Sequence, residues 1–289
     1  MSSRIVYKKV YNDIHDIIYS IVTPVYNQED IIVDNLKSFI ENTQDAFEII
    51  LILDFCFDNT ERNIMEFLET YENKVDTFAQ ITIFKNDEKP LFETKCDNIG
   101  FKHSVGRFCL EIQADMKMTE YGYNLQLTKP FNILDTVIAI SGRACLNFSH
   151  TIGIGKLDES IEKSISELNI DKNKFYIYET CIRGPLLIDR SKLKELNYLD
   201  EEEYYLDYSD CDLMYRAYLE KGYICGYVPI DFHSPISLGS TRNNKVYNCN
   251  EYLINKAEKE RLQRECASKK GLSKYISVWK NRDSIMYDL

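Results

Sequence analysis

The segment Arg107–Met118, RFCLEIQADMKM, places apolar residues at Phe108, Leu110 and Ile112 and then breaks into Gln113, Ala114 and Asp115. Alternation of this kind describes a half-buried strand, so Asp115 stands at a strand's C-terminal end. A lone Asp there can simply open a turn. It also sits where open α/β sheets bind ligands, just beyond the carboxyl ends of their strands. Two other apolar runs end in the same way: IIYSIVT leads into Thr23–Asn27, and FEIILIL ends at Asp54. Three polar strand ends on one edge of a parallel sheet can converge, which favours a site over three unrelated turns. A third carboxylate, Asp210, opens the pattern DCDLMYRAYLEK. Its position suits a cap on the helix that follows, with Asp212 and Arg216 four residues apart and able to pair.

These residues need a frame to hold them. Ile17–Thr23 reads as a strand stopped by Pro24, followed by a helix for which Asn27 can serve as N-cap and in which Ile31, Ile32, Leu36, Phe39 and Ile40 keep helical spacing. Phe47–Leu53 is apolar throughout, as a strand buried on both faces is. A helix over Asn59–Tyr71, a strand at Gln80–Phe84 and the strand Phe108–Ala114 follow. Strand alternating with helix predicts parallel pairing, hence an α/β, Rossmann-like, doubly wound sheet. Further strands are expected at Asp135–Ser141, Cys181–Asp189 and Tyr223–Pro229, with a helix over Asp210–Lys221 stopped by Gly222. Residues 1–247 are expected to form one domain and 248–289 a C-terminal helical extension packed on it.

Composition excludes several classes. The 289 residues are 44% hydrophobic and 28% charged, an ordinary globular balance, and no apolar run reaches membrane-span length. A formal net charge of −11 argues against a general grip on nucleic acid. It leaves an anionic ligand open, because one divalent cation can offset local repulsion. Nine cysteines without a C-x-x-C pair suit reduced apolar fillers in a reducing, cytoplasmic compartment rather than zinc or a disulfide framework. No P-loop occurs, and Gly153-Ile154-Gly155 lacks the rest of a dinucleotide fingerprint.

Four segments in order, VTPVYNQED, EIILILDFCFDNT, DNIGFKHSVGRFCLEIQAD and YLDEEEYYLDYSDCDLMYRAYLEKGY, resemble the family 2 glycosyltransferases of the GT-A fold over roughly residues 17–235. The resemblance implies an inverting enzyme that moves a sugar from a nucleoside-diphosphate sugar, first of all a UDP-sugar, to a hydroxyl of a glycan, protein or lipid-linked acceptor. It implies that Thr23, Pro24, Tyr26, Asn27 and Glu29 line the uridine pocket, that Asp54 meets base or ribose, and that Asp58 closes the Asp54 loop. Gln113, Ala114 and Asp115 fall on the D-x-D element, whose second Asp holds Mn²⁺ or Mg²⁺ against the donor diphosphate. Asp210 falls on the family's general base and His233 on an additional metal ligand of some GT-A enzymes. Arg183 would border the sugar and Arg242 would close over the diphosphate. Any membrane association would come through a partner.

The sequence departs from the family pattern at three places. Gln113 replaces the first Asp of D-x-D, Ser209 replaces the Glu before Asp210, and Asp97 stands where an Arg precedes N-x-G. These departures keep a second reading alive, a catalytically silent nucleotide-sugar or protein-binding module of the same fold. A nucleotidyltransferase ranks third, because Pro24-Val25-Tyr26-Asn27 stands where its Gly-rich element would be.

Overall fold

The structure, a computed structural model, describes residues 3–147, 152–155, 170–204, 208–234 and 286–289. Their contacts fall into two units, one made of described residues up to 126 together with 231–234, the other of the remainder.

The first unit runs β1 (Arg4–Val10), β2 (Tyr19–Val25), α1 (Ile32–Asn42), β3 (Phe47–Asp54), α2 (Thr60–Thr70), β4 (Phe78–Asn86), α3 (Glu93–His103), β5 (Phe108–Glu111) and β6 (Lys117–Met118). The strand order is β1-β4-β3-β2-β5. β4, β3, β2 and β5 pair in parallel, and β1 closes one edge antiparallel to β4. Parallel neighbours need crossovers, which α1, α2 and α3 supply in turn. All eight residues of β3 are buried, as its unbroken apolar run requires of a strand covered on both faces. The α1 side chains Leu36, Phe39 and Ile40 are fully buried. On α3, Gly100 is needed for close approach, since a Cβ there would lie 2.2 Å from Val22 Cγ1 on β2. The outcome of this topology is that β2, β3, β4 and β5 all end at one edge.

A polar latch is built into this core. Glu48, the second residue of β3, is 2% exposed. Its carboxylate accepts from Ser20 Oγ at 2.6 Å, Gln80 Nε2 at 2.7 Å and the Val105 amide at 2.8 Å, and Ser20 Oγ in turn accepts from the Gly106 amide at 2.9 Å. The buried acid thus ties β2, β3, β4 and the turn before β5. Glu48→Ala is expected to lower unfolding stability by about 2–3 kcal/mol, because it strands buried donors. Urea unfolding checks this, and a loss under about 0.5 kcal/mol would rule out the latch.

The second unit contains α4 (Tyr123–Ile133) from residue 127 onward, β7 (Val137–Ser141), β8 (Ala144–Asn147), β9 (Ile152–Gly155), β10 (Lys174–Tyr178), β11 (Thr180–Cys181), β12 (Leu186–Asp189), α5 (Arg190–Glu195), α6 (Ser209–Lys221) and β13 (Ile224–Tyr227). β14 (Phe232–His233) belongs to the first unit, and β15 (Met286–Asp288) pairs with β10. The order is β12-β7-β13-β10-β15, in which only β7 and β13 are parallel, beside a three-stranded β11-β8-β9. The single strand expected over Cys181–Asp189 is two, because Pro185 has no amide to donate and Gly184 takes a φ of +61° between them. Gly222, at φ +70°, ends α6 as expected. Arg216 Nε donates to Asp212 Oδ2 at 2.7 Å, the pair its spacing suggested. Of the expected C-terminal extension, only 286–289 fall within the described residues. No described helix is long and apolar enough to cross a membrane.

Candidate functional site

At the shared strand edge the loops after β2 and β3 clasp each other. Asn27, in the left-handed region at φ +47°, accepts the Phe57 amide on Oδ1 at 3.0 Å. The Gln28 amide donates to Thr60 Oγ1 at 2.7 Å and the Glu29 amide to Asp58 Oδ2 at 3.2 Å. The bonds also run the other way, from the Asn59 amide and Nδ2 to Glu29 Oε2 at 2.9 and 2.8 Å. Burial pushes the Cys56 thiol up to about 12, so it stays neutral and donates to the Val25 carbonyl at 3.3 Å. Asn27 is therefore not the expected helix cap. Ile31 occupies that position without a side-chain bond, because the Asn27 oxygen is committed to the neighbouring loop. Asp58 closes its loop as expected, accepting the Thr60 amide at 2.9 Å.

The clasp leaves Tyr26 half-buried and Phe57 57% exposed, their rings 6.1 Å apart at 81°. Pro24 is partly exposed beside them, and Thr23 is fully buried. Asp54 is 5% exposed and faces inward to the next connection. It accepts from Asn86 Nδ2 at 2.8 Å, the Leu91 amide at 2.9 Å and the Phe92 amide at 3.0 Å. Burial raises its pKa, and these donors oppose that rise. Asp54 thereby orders the start of α3.

Asp115 lies beyond β5, 8% exposed, in a turn closed by the Met116 amide on the Gln113 carbonyl at 3.0 Å. One face of α1 holds the segment down. Asn35 Nδ2 donates to the Ala114 carbonyl at 2.8 Å, Ser38 Oγ accepts the Met118 amide at 3.0 Å, and Asn42 Nδ2 donates to the Met118 carbonyl at 3.0 Å. β14 pairs with β6, setting Phe232 opposite Met118 and exposed His233 opposite Lys117. His233 and Asp115 are thus brought to adjoining stretches of one unit although they lie 118 positions apart in the chain. Their chemistry, a carboxylate and an imidazole, fits Mn²⁺ or Mg²⁺ completed by oxygen donors of a ligand.

A second acidic group was not legible in advance. Glu93, Asp97 and Glu111 bring carboxylate oxygens within 4.8 Å of one another, with Asp97 and Glu111 fully buried. Gln113 Nε2 donates to Glu93 Oε1 at 2.7 Å, so the departure in D-x-D leans on this cluster. Hard oxygen ligands of this kind could also hold a divalent cation. The readable signal was the four-residue spacing of Glu93 and Asp97, which puts both on one helix face.

In the second unit, Asp210 is 7% exposed in the first turn of α6. Tyr208 takes the cap position, with no capping side-chain bond to the first turn, so Asp210 is not the cap residue. Its Oδ2 accepts the Arg183 amide at 3.2 Å and its Oδ1 the Cys211 amide at 2.8 Å. Arg183 is 5% exposed, and its carbonyl accepts Arg143 Nη1 at 3.3 Å. Buried Arg143, which the sequence reading passed over, thus supports the Arg183 turn. Arg242 lies outside the described residues, as does most of 147–170, where the acceptor segment was expected.

No curated protein sequence matches the chain. Among solved structures, it resembles a mannosyltransferase of Pyrobaculum calidifontis in complex with GDP-Man and Mn²⁺, at a TM-score of 0.54 and 16% identity, covering 75% of this chain and 56% of that one. It also resembles Staphylococcus aureus TarS 1–349 in complex with UDP-GlcNAc (TM-score 0.55, 14% identity, 89% and 68% covered). A third likeness is to GalNAc-T7 with UDP, GalNAc and Mn²⁺ (TM-score 0.55, 19% identity, 75% and 43% covered). The chain thus spans little more than half of the mannosyltransferase and less than half of GalNAc-T7. At these identities the likeness establishes the GT-A fold. The sequence model of glycosyl transferase family 2 matches residues 20–195. With the four motifs, the parallel sheet and that match in agreement, the chain belongs to glycosyl transferase family 2.

Proposed function

We propose that the chain is an inverting, metal-assisted glycosyltransferase that takes a nucleoside-diphosphate sugar, a UDP-sugar first, and passes the sugar to a hydroxyl acceptor. The observation that carries this reading is the shared strand edge, where the clasped loops and Asp115 adjoin within one unit. The bound states named for the similar structures, GDP-Man with Mn²⁺ and UDP-GlcNAc, support the ligand class. Tyr26 and Asn27 receive the nucleoside, with Pro24 and Glu29 shaping that loop. Asp115 and His233 hold Mn²⁺ or Mg²⁺. When bound, the ion neutralises charge on the departing diphosphate. Asp210 removes the acceptor proton, since a carboxylate with two accepted amides keeps lone pairs for a hydroxyl. Arg183 borders the sugar.

Thermal melting with UDP, GDP and dTDP, each with Mn²⁺ or with EDTA, tests the reading. A ligand at 100-fold excess over its Kd stabilises the folded state by about 2.7 kcal/mol, a rise of several degrees. The expected result is such a rise for one nucleotide, abolished by EDTA. No rise with any of the three would sink the proposal. A rise without sugar transfer to any acceptor would favour the silent binding module, for which Gln113 held on Glu93 is the specific observation.

A further inference from the structure

Phe57 occupies the middle of the loop between β3 and α2. A single exposed ring on a loose loop carries no information. This ring is different, because its own amide is bonded to Asn27 Oδ1 at 3.0 Å and Asp58 and Asn59 beside it bond to Glu29. The backbone therefore cannot easily fold the ring into the core. Two residues earlier, Phe55 adopts φ +57°, a conformation costly for a non-glycine residue, with its amide donating to the Asn86 carbonyl at 2.8 Å. The result is an aromatic side chain kept 57% exposed, with its ring 6.1 Å from that of Tyr26 at 81°.

Two rings at nearly a right angle form an open corner. A flat heteroaromatic ring lying on the face of one meets the other edge-on, and both arrangements are favoured by aromatic quadrupoles. Resting on the donor reading above, we infer that Phe57 is the second aromatic wall of the nucleobase subsite and stacks on the base while Tyr26 forms the other side. Base stacking on an aromatic side chain tolerates any base, because every base has a π-face. Phe57 therefore contributes affinity for the nucleoside and leaves discrimination between bases to polar groups.

The test is titration calorimetry in Mn²⁺ with the best-binding nucleoside diphosphate and, separately, with inorganic pyrophosphate, which lacks a base. Wild type is compared with Phe57→Ala, Phe57→Leu and Phe57→Tyr. Phe57→Ala and Phe57→Leu should weaken nucleotide binding roughly 5- to 100-fold, the scale of one base–aromatic contact, while pyrophosphate affinity stays the same. Phe57→Tyr should restore nucleotide binding. Leucine keeps apolar bulk without a π-face, so leucine binding as well as phenylalanine would overturn stacking. Unchanged nucleotide affinity in Phe57→Ala would overturn the subsite, and an equal loss for nucleotide and pyrophosphate would show collapse of the loop instead. If wild type binds pyrophosphate but no nucleotide, or neither, the donor reading fails first and takes this inference with it.

Discussion

Asp115→Ala is expected to abolish Mn²⁺-dependent stabilisation by nucleotide and to lower sugar transfer by about 10²–10³-fold. A metal ion stabilising charge on a leaving diphosphate contributes several kcal/mol, and each 1.36 kcal/mol is a factor of ten in rate. The fold should survive, since Asn35, Ser38 and Asn42 hold the segment around Asp115 through its main-chain groups. Melting curves with and without Mn²⁺, set beside initial rates, provide the measurement. The acidic group of Glu93, Asp97 and Glu111 supplies the competing outcome. If Mn²⁺ dependence persists in Asp115→Ala and disappears in Glu111→Gln, the ion sits with those three carboxylates, and the assignment to Asp115 is wrong.

Asp210→Asn should reduce kcat by about 10²–10⁴-fold while donor affinity stays within twofold. General-base catalysis is worth that much, and an amide cannot take a proton from a hydroxyl at neutral pH. Asparagine is nearly isosteric and its carbonyl oxygen can still accept one of the two amides now bonded, from Arg183 or Cys211. A fall in donor affinity together with kcat would instead mean that the carboxylate supports the Arg183 turn. Single-turnover rates with saturating donor separate the two, and near-normal turnover would remove Asp210 from the mechanism.

What could be read from the chain alone followed its hydrophobic periodicity. β3 and α1 were visible because their apolar residues occur at the spacing that their burial demands. α3 was not visible, because its buried positions include Thr94, Asp97 and Asn98 and its first turn has no capping side chain. The edge strand β1 was missed because it pairs on one side only and leaves Ile5 and Val10 largely exposed, so burial imposes little pattern on RIVYKKV. Asp97 illustrates the deeper limit. Its sequence position suggested an absent phosphate contact, whereas the fold buries it beside Glu111 from another element. Such a meeting depends on how α3 lies against β5, which no local pattern encodes. The adjoining of β6 and β14 escaped for the same reason, although Asp115 and His233 were each legible by type.

The clasp between the loops after β2 and β3 bears on how this chain can be re-engineered. Each loop completes the hydrogen bonding of the other: Asn27 serves Phe57, Thr60 serves Gln28, and Glu29 serves Asn59. Neither loop is a self-contained cassette. A graft that transplants TPVYNQED without DFCFDNT, or the reverse, separates donors from acceptors that only the native partner supplies. On the function proposed above, donor preference would be exchangeable only as a two-loop module, and substitutions in one loop constrain which residues the other can accept.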